Sequence, residues 1–182
     1  MSDCGMEFEG NMLLTGTPGI GKSTVMIRLA ELLANRAVAG FYTEEIRKSG
    51  QRQGFRAVTF SGQTGVLAHI GFKSKSRVGR YGVDVAAFEQ LVMPELSRLA
   101  DLILIDEIGK MECYSTAFVT TVRDLLNAST PVIATVAVSG GGFIAEVKAR
   151  PDVQIWKVGH DNRDRLPRQL ADLLSLTKDC HN

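Results

Sequence analysis

The chain has 182 residues, 45% hydrophobic and 23% charged, with 21 basic against 20 acidic side chains for a formal net charge of +1. That length fits one domain with a full core, and the near-neutral balance carries no strong nucleic-acid signal. Apolar runs such as residues 102–105 are far too short to span a bilayer, and residues 1–9 lack the basic and apolar regions of a signal peptide, so a cytoplasmic protein with no membrane partner is expected.

In chain order, residues 11–15 read as a short buried strand and residues 23–35 as a helix with Ile27, Ala30, Leu33 and Ala34 on one face. Between them, Gly16-Thr17-Pro18-Gly19-Ile20-Gly21-Lys22-Ser23 fits G-x-x-x-x-G-K-[ST] in the strand-to-helix context that a phosphate-binding loop requires. Gly16, Gly19 and Gly21 let backbone N–H groups curl around phosphates without side-chain bulk. The helix that follows aims its positive dipole end at the same place. Lys22 would reach the β- and γ-phosphates, Ser23 Oγ would ligate Mg²⁺, and Thr24 is a second hydroxyl within reach.

Residues 39–47 and 54–60 read as a hairpin across the turn-rich segment 48–53, with a third short strand at 65–70. Within the first of these strands, Glu45 and Arg47 share one face and Glu44 takes the other. Residues 72–83, carrying Lys73, Lys75, Arg77 and Arg80 among Gly and Ser, show no period and are expected to be an exposed loop. A helix is predicted over 84–99, with Asp84 as cap and Pro94 as a kink or interruption. Residues 101–107 make a buried strand ending in two acids. Then come a helix at 119–126, a strand at 132–138, a helix at 143–148, a strand at 153–158 and an amphipathic helix at 165–176. This alternation predicts an α/β three-layer sandwich whose largely parallel sheet is extended by an antiparallel hairpin section, all in one domain with a core over about 12–176.

A buried strand ending in Asp106-Glu107 supplies what a phosphate loop needs: Asp106 to hold Mg²⁺ beside Ser23, and Glu107 to polarise a water for in-line attack. The pleat sends the two carboxylates in opposite directions. Arg77 and Arg80, then Arg47 and Arg150, are the candidates for stabilising transition-state charge. Asn162 and Arg163 sit where a nucleobase could rest, with His160 nearby, by analogy to ligand sites at strand ends. Lys110 and Glu112 follow closely enough to line the cleft, or to form a surface ion pair. Cys4, Cys113 and Cys180 are too widely spaced for a disulfide framework or zinc site, and Cys113 is read as an incidental thiol. Trp156 is read as core, the 140–142 glycine run as a connection, and His69, His160 and His181 have no metal-ligand spacing.

Together, residues 16–23, the stretch Gly40-Phe-Tyr-Thr-Glu-Glu-Ile-Arg47, residues 78–84, the run Asp106-Glu-Ile-Gly-Lys-Met-Glu112 and Asn162-Arg-Asp-Arg-Leu-Pro167 resemble the THEP1 family of P-loop nucleoside-triphosphatases. The resemblance spans 12 to about 174. It implies a P-loop fold and Mg²⁺-dependent, slow hydrolysis of several nucleoside triphosphates (ATP, GTP, CTP, UTP) to diphosphate and phosphate. Two other readings use the same loop: a nucleoside or small-molecule kinase with a hydroxyl acceptor, and a nucleotide-dependent switch module. Base preference and oligomeric state, monomer included, stay open.

Overall fold

The computed structural model describes residues 10–176, so Cys4, Cys180 and His181 lie outside the described residues. Its strands are β1 (Asn11–Thr15), β2 (Val38–Lys48), β3 (Gln51–Thr59), β4 (Thr64–His69), β5 (Arg77–Val78), β6 (Tyr81–Val83), β7 (Leu102–Ile108), β8 (Val132–Val136) and β9 (Val153–Lys157). Its helices are α1 (Lys22–Leu32), α2 (Val85–Leu96), α3 (Thr116–Asn127), α4 (Phe143–Lys148) and α5 (Leu166–Leu176). The strands form one nine-stranded sheet in the order β5-β6-β4-β3-β2-β7-β8-β1-β9. From β2 to β9 along that order every pairing is parallel, and from β2 outward to β5 every pairing is antiparallel. The expected three-layer α/β sandwich with a hairpin extension is therefore what the chain forms.

Strand periodicity builds the layers. In β1, β7 and β8, alternate residues such as Leu13, Ile103, Ile105 and Ala134 face Phe88 and Val92 of α2, Phe118 and Val122 of α3, and Phe143 of α4. Their neighbours Met12, Leu14, Leu102, Leu104 and Ile133 face Met26 and Leu29 of α1 and Leu170 and Leu174 of α5. Burial on both faces explains why these strands read as continuous apolar runs. Phe41, Phe88 and Phe118 meet edge to face with centroids 5.5–6.0 Å apart and lock α2 and α3 onto the sheet.

Several elements differ from expectation. The buried face of α1 is Val25, Met26 and Leu29, continued by Leu33, while Ala34 is exposed. The helix is pinned at its start by the loop and sandwiched between sheet and α5, so its rotation follows tertiary packing, not the weaker apolar stripe. The β2–β3 connection shrinks from 48–53 to Ser49-Gly50, both at positive φ (49° and 77°), as a two-residue hairpin turn demands. Segment 72–83 is no open loop: β5 and β6 form the sheet's outer edge across a Gly79-Arg80 turn, with Gly79 at φ 55°. Strands of two and three residues are too short to show a period. Helix α2 is capped by Asp84, whose carboxylate accepts from Ala87 N at 3.0 Å, and it runs through Pro94 to end at Leu96.

Candidate active site

The site lies at the carboxyl edge of the parallel strands. Gly16 is buried, and a Cβ there would lie 2.7 Å from the Val158 carbonyl oxygen, so the position excludes a side chain. Ile20 is buried as well, which anchors the loop, while Thr17, Pro18 and Gly19 stand exposed. Gly21 ends the loop at φ 110° and caps α1. The side chain of Lys22 folds back so that Nζ donates to the Gly16 carbonyl at 3.0 Å. From outside the motif, Arg163 Nη1 donates to the Ile20 carbonyl at 3.2 Å and props the loop from behind.

Facing the loop across a cavity of about 560 Å³ are Asp106 and Glu107 from β7, Val138 and Ser139 beyond β8, and Thr43, Glu45, Arg52 and Phe55 from the β2–β3 hairpin. The loop side is Gly16, Pro18, Gly19, Gly21, Lys22, Ser23 and Thr24. Both Asp106 and Glu107 line this one cavity, contrary to the simple pleat, because the β7–β8 ladder is irregular between Ile105 and Ile108. Strand β8 lies between β1 and β7 and supplies a residue that sequence reasoning did not single out. Thr135, fully buried, donates from Oγ1 to Asp106 Oδ1 at 2.5 Å. Its only signal was a hydroxyl in the apolar run 132–136.

Asp106 is 2% exposed, and its Oδ2 is one of two buried side-chain oxygens without a hydrogen-bond partner among the described residues, the other being Thr15 Oγ1 at the end of β1. Burial pushes the Asp106 carboxyl upward, against the hydroxyls of Ser23 and Thr135, a backbone hydrogen bond at Thr43 and the charge of Lys22, which favour its ionised form. Burial also raises Glu107, reinforced by Asp106 and opposed by Lys22. Glu112, 4% exposed, is pushed up to about 8 by burial, with Glu107 and Asp106 adding to the shift. Glu107 and Glu112 flank Gly109, where a Cβ would lie 2.7 Å from an oxygen of each.

Behind Glu107 a smaller cavity of about 230 Å³ is lined by Thr43, Phe55, Leu67, Val78, Glu107, Lys110, Met111, Glu112 and Ala137. Lys110 and Glu112 thus share a cavity wall, and buried Glu112 is not a surface partner. Cys113 is half-buried, lines a neighbouring cavity with Lys110 and Arg77, and its thiol is raised to about 11 by burial and then Glu112, which makes it a poor nucleophile.

The other candidates fall elsewhere. Arg77 donates to the carbonyls of Phe72 and Arg80, and Arg80 donates to that of Arg52 at 2.6 Å. Arg47 is taken up by Glu45 at 2.8 Å and the Gly50 carbonyl. Arg150 binds Asp152 and the Leu126 carbonyl at the opposite edge, where β9 begins. Asn162 closes its own turn, accepting from Gly159 N and donating to the Lys157 carbonyl. His160 is exposed, and Trp156 packs against the α1–α5 core. The 140–142 glycines lead into α4, with Gly141 and Gly142 lining the same cavity as Cys113. Arg52, read from sequence as part of a turn, lines the phosphate-loop cavity.

A family model described as NTPase matches residues 11–171. The chain is 38% identical over 170 residues to nucleoside-triphosphatase THEP1 of Thermotoga sp. strain RQ2, covering 92% of this chain and 97% of the relative. It is 40% identical over 175 residues to the human cancer-related nucleoside-triphosphatase, covering 86% and 92%. The crystal structure of THEP1 from Aquifex aeolicus superposes with a TM-score of 0.83 at 34% identity, covering 90% of this chain and 98% of that one. The solution structure of the human protein gives 0.77 at 36% identity, covering 90% and 96%.

Proposed function

Because this chain belongs to the THEP1 family of P-loop nucleoside-triphosphatases, we propose that it hydrolyses ATP, GTP, CTP and UTP to diphosphate and phosphate with Mg²⁺, in the cavity between the phosphate loop and β7. The observation that carries this reading is the meeting of Lys22, Ser23, Asp106 and Glu107 around one cavity. The residues fit a hard cation: Asp106 Oδ2 is buried without a partner, and the Ser23 hydroxyl acts on the same carboxylate. One carboxylate and one hydroxyl, completed by substrate phosphates and water, is a magnesium type of site. When bound, Mg²⁺ supplies neutralisation of charge across the β- and γ-phosphates.

The chain's own residues supply the rest. Loop N–H groups and the start of α1 hold the phosphates. Lys22 exchanges its tether on the Gly16 carbonyl for phosphate oxygens. Thr135 fixes the rotamer of Asp106, as an outer-shell partner does for a metal ligand. Glu107, whose proton affinity is raised by burial, orients the attacking water and takes its proton. A grip on phosphates that all nucleotides share is compatible with broad base tolerance.

The test is phosphate release from the four triphosphates with Mg²⁺ or EDTA, for native chain and Glu107→Gln. Native protein should release phosphate only with Mg²⁺, and Glu107→Gln should bind nucleotide while turnover falls roughly 10²- to 10⁴-fold. Tight binding without release would overturn hydrolysis. One feature favours a second reading, transfer to a hydroxyl: the mostly apolar cavity behind Glu107 has room for an acceptor. Added nucleosides or alcohols that become phosphorylated would identify it.

A further inference from the structure

We propose that Arg52 is a catalytic residue of this hydrolysis, its guanidinium bearing on the γ-phosphoryl oxygens from the wall opposite the loop. The inference rests on the hydrolytic reading and adds a participant to it. As water attacks, its oxygen forms a bond to the γ-phosphorus and the bond from phosphorus to the β-γ bridging oxygen breaks. The electron pair leaves with the diphosphate, and the water's proton passes to Glu107. Arg52 exchanges no proton; it neutralises charge that grows as the bond breaks.

Charge in the cavity makes the case. Its lining includes the carboxylates Glu45, Asp106 and Glu107, against which stand two cations, Lys22 from the loop and Arg52 from β3. A triphosphate entering among these acids needs positive charge on the side away from the loop, and Arg52 is the lining cation there. The side chain is held in place: Nη1 lies 2.9 Å from Glu45 Oε1, and Cζ sits 5.4 Å from the centre of the Phe55 ring. Its backbone is held too, since its carbonyl accepts from Arg80. Glu45 engages one nitrogen of a group with five N–H donors, so the planar fork keeps capacity for phosphate oxygens. At 43% exposure the guanidinium reaches the cavity without a heavy desolvation cost. The other arginines nearby are committed elsewhere: Arg47 to Glu45 and Gly50, Arg56 to Glu44, Arg77 to backbone carbonyls.

The test compares native chain, Arg52→Ala and Arg56→Ala by kcat with Mg·ATP, by affinity for ADP, and by affinity for ADP with aluminium fluoride. Arg52→Ala should lose about a hundredfold or more in kcat, keep ADP affinity within about threefold, and lose the extra affinity that fluoride confers. Arg56→Ala, on the same strand but outside the cavity lining, should keep native kcat. A merely structural role would move ADP affinity and melting temperature together with kcat. Glu45→Gln, which loosens Arg52 without removing its charge, should lower kcat less than Arg52→Ala. The proposal is overturned if Arg52→Ala turns over within about threefold of native, or if ADP and ADP–fluoride affinities fall in parallel. Absence of Mg-dependent hydrolysis by the native chain would instead overturn the hydrolytic reading, and this inference with it.

Discussion

Lys22, Ser23 and Asp106 reach the cavity from elements rooted in the buried parallel strands, whereas Glu45 and Arg52 reach it from an antiparallel hairpin laced by half-exposed ion pairs. The parallel half has apolar layers on both faces and no slack, so its polar groups are fixed by burial. The hairpin half reaches the same cavity through long, solvated side chains. Charge is placed by burial in the first half and by ion pairing in the second, and substitutions should separate the two.

The largest effect is expected at Lys22. Lys22→Ala removes the loop's cation and should lower kcat/KM for Mg·ATP by roughly a thousandfold, with weakened ADP binding, since in the proposed mechanism it holds phosphate in ground and transition states alike. A loss confined to kcat would break the assignment of ground-state grip to the loop half.

Thr135→Val comes next. It keeps the shape of β8 but takes the buried hydroxyl donor from Asp106 Oδ1, whose Oδ2 is already without a partner. Roughly ten- to a hundredfold loss is expected for such an outer-shell partner, seen chiefly as a higher Mg²⁺ concentration for half-maximal rate. A rise in KM for nucleotide with unchanged Mg²⁺ dependence would show that Thr135 serves packing alone.

The third prediction concerns pH. The Glu112 carboxyl is raised from 4.5 to about 8 by burial, so the folded chain holds a proton there that the unfolded chain releases. Stability from this group is therefore fully present below about 4.5 and is lost as pH rises toward about 8. Glu112→Gln should flatten that decline and raise stability at the upper end by roughly 2 kcal/mol after relaxation. Parallel melting curves for native and variant across this range would mean the folded Glu112 ionises as freely as the unfolded one.

The same contrast explains what was legible in the sequence. The loop, the buried strand of β7 and its two acids declare themselves because long apolar runs and a glycine-spaced motif have few other uses. Thr135 was hidden because one hydroxyl in a buried strand looks like β-propensity until the neighbouring strand is known. Arg52 was hidden because 48–53 has turn composition, and only the tight Ser49-Gly50 turn extends β3 back to Gln51 and brings Arg52 to the cavity. The face of α1 was misread because two candidate stripes differ little in apolar content, and contact with α5 and the sheet decides between them.

The smallest effect is expected at Arg56, and it sharpens the comparison most. Arg56 and Arg52 both sit on β3 and both pair with a glutamate of β2, at 2.7 Å to Glu44 and 2.9 Å to Glu45. Irregular register at Ile46/Arg47 and at Phe55/Arg56 separates the two pairs, so that Glu45–Arg52 lines the cavity while Glu44–Arg56 does not. With side chains 53% and 36% exposed, the Arg56–Glu44 pair is screened by solvent and should contribute no more than about 1 kcal/mol. Arg56→Ala should therefore shift the melting temperature by no more than about 4 °C in a chain of this size, with kcat unchanged. A large drop in kcat would mean that the whole hairpin, and not one side chain on it, shapes the far wall.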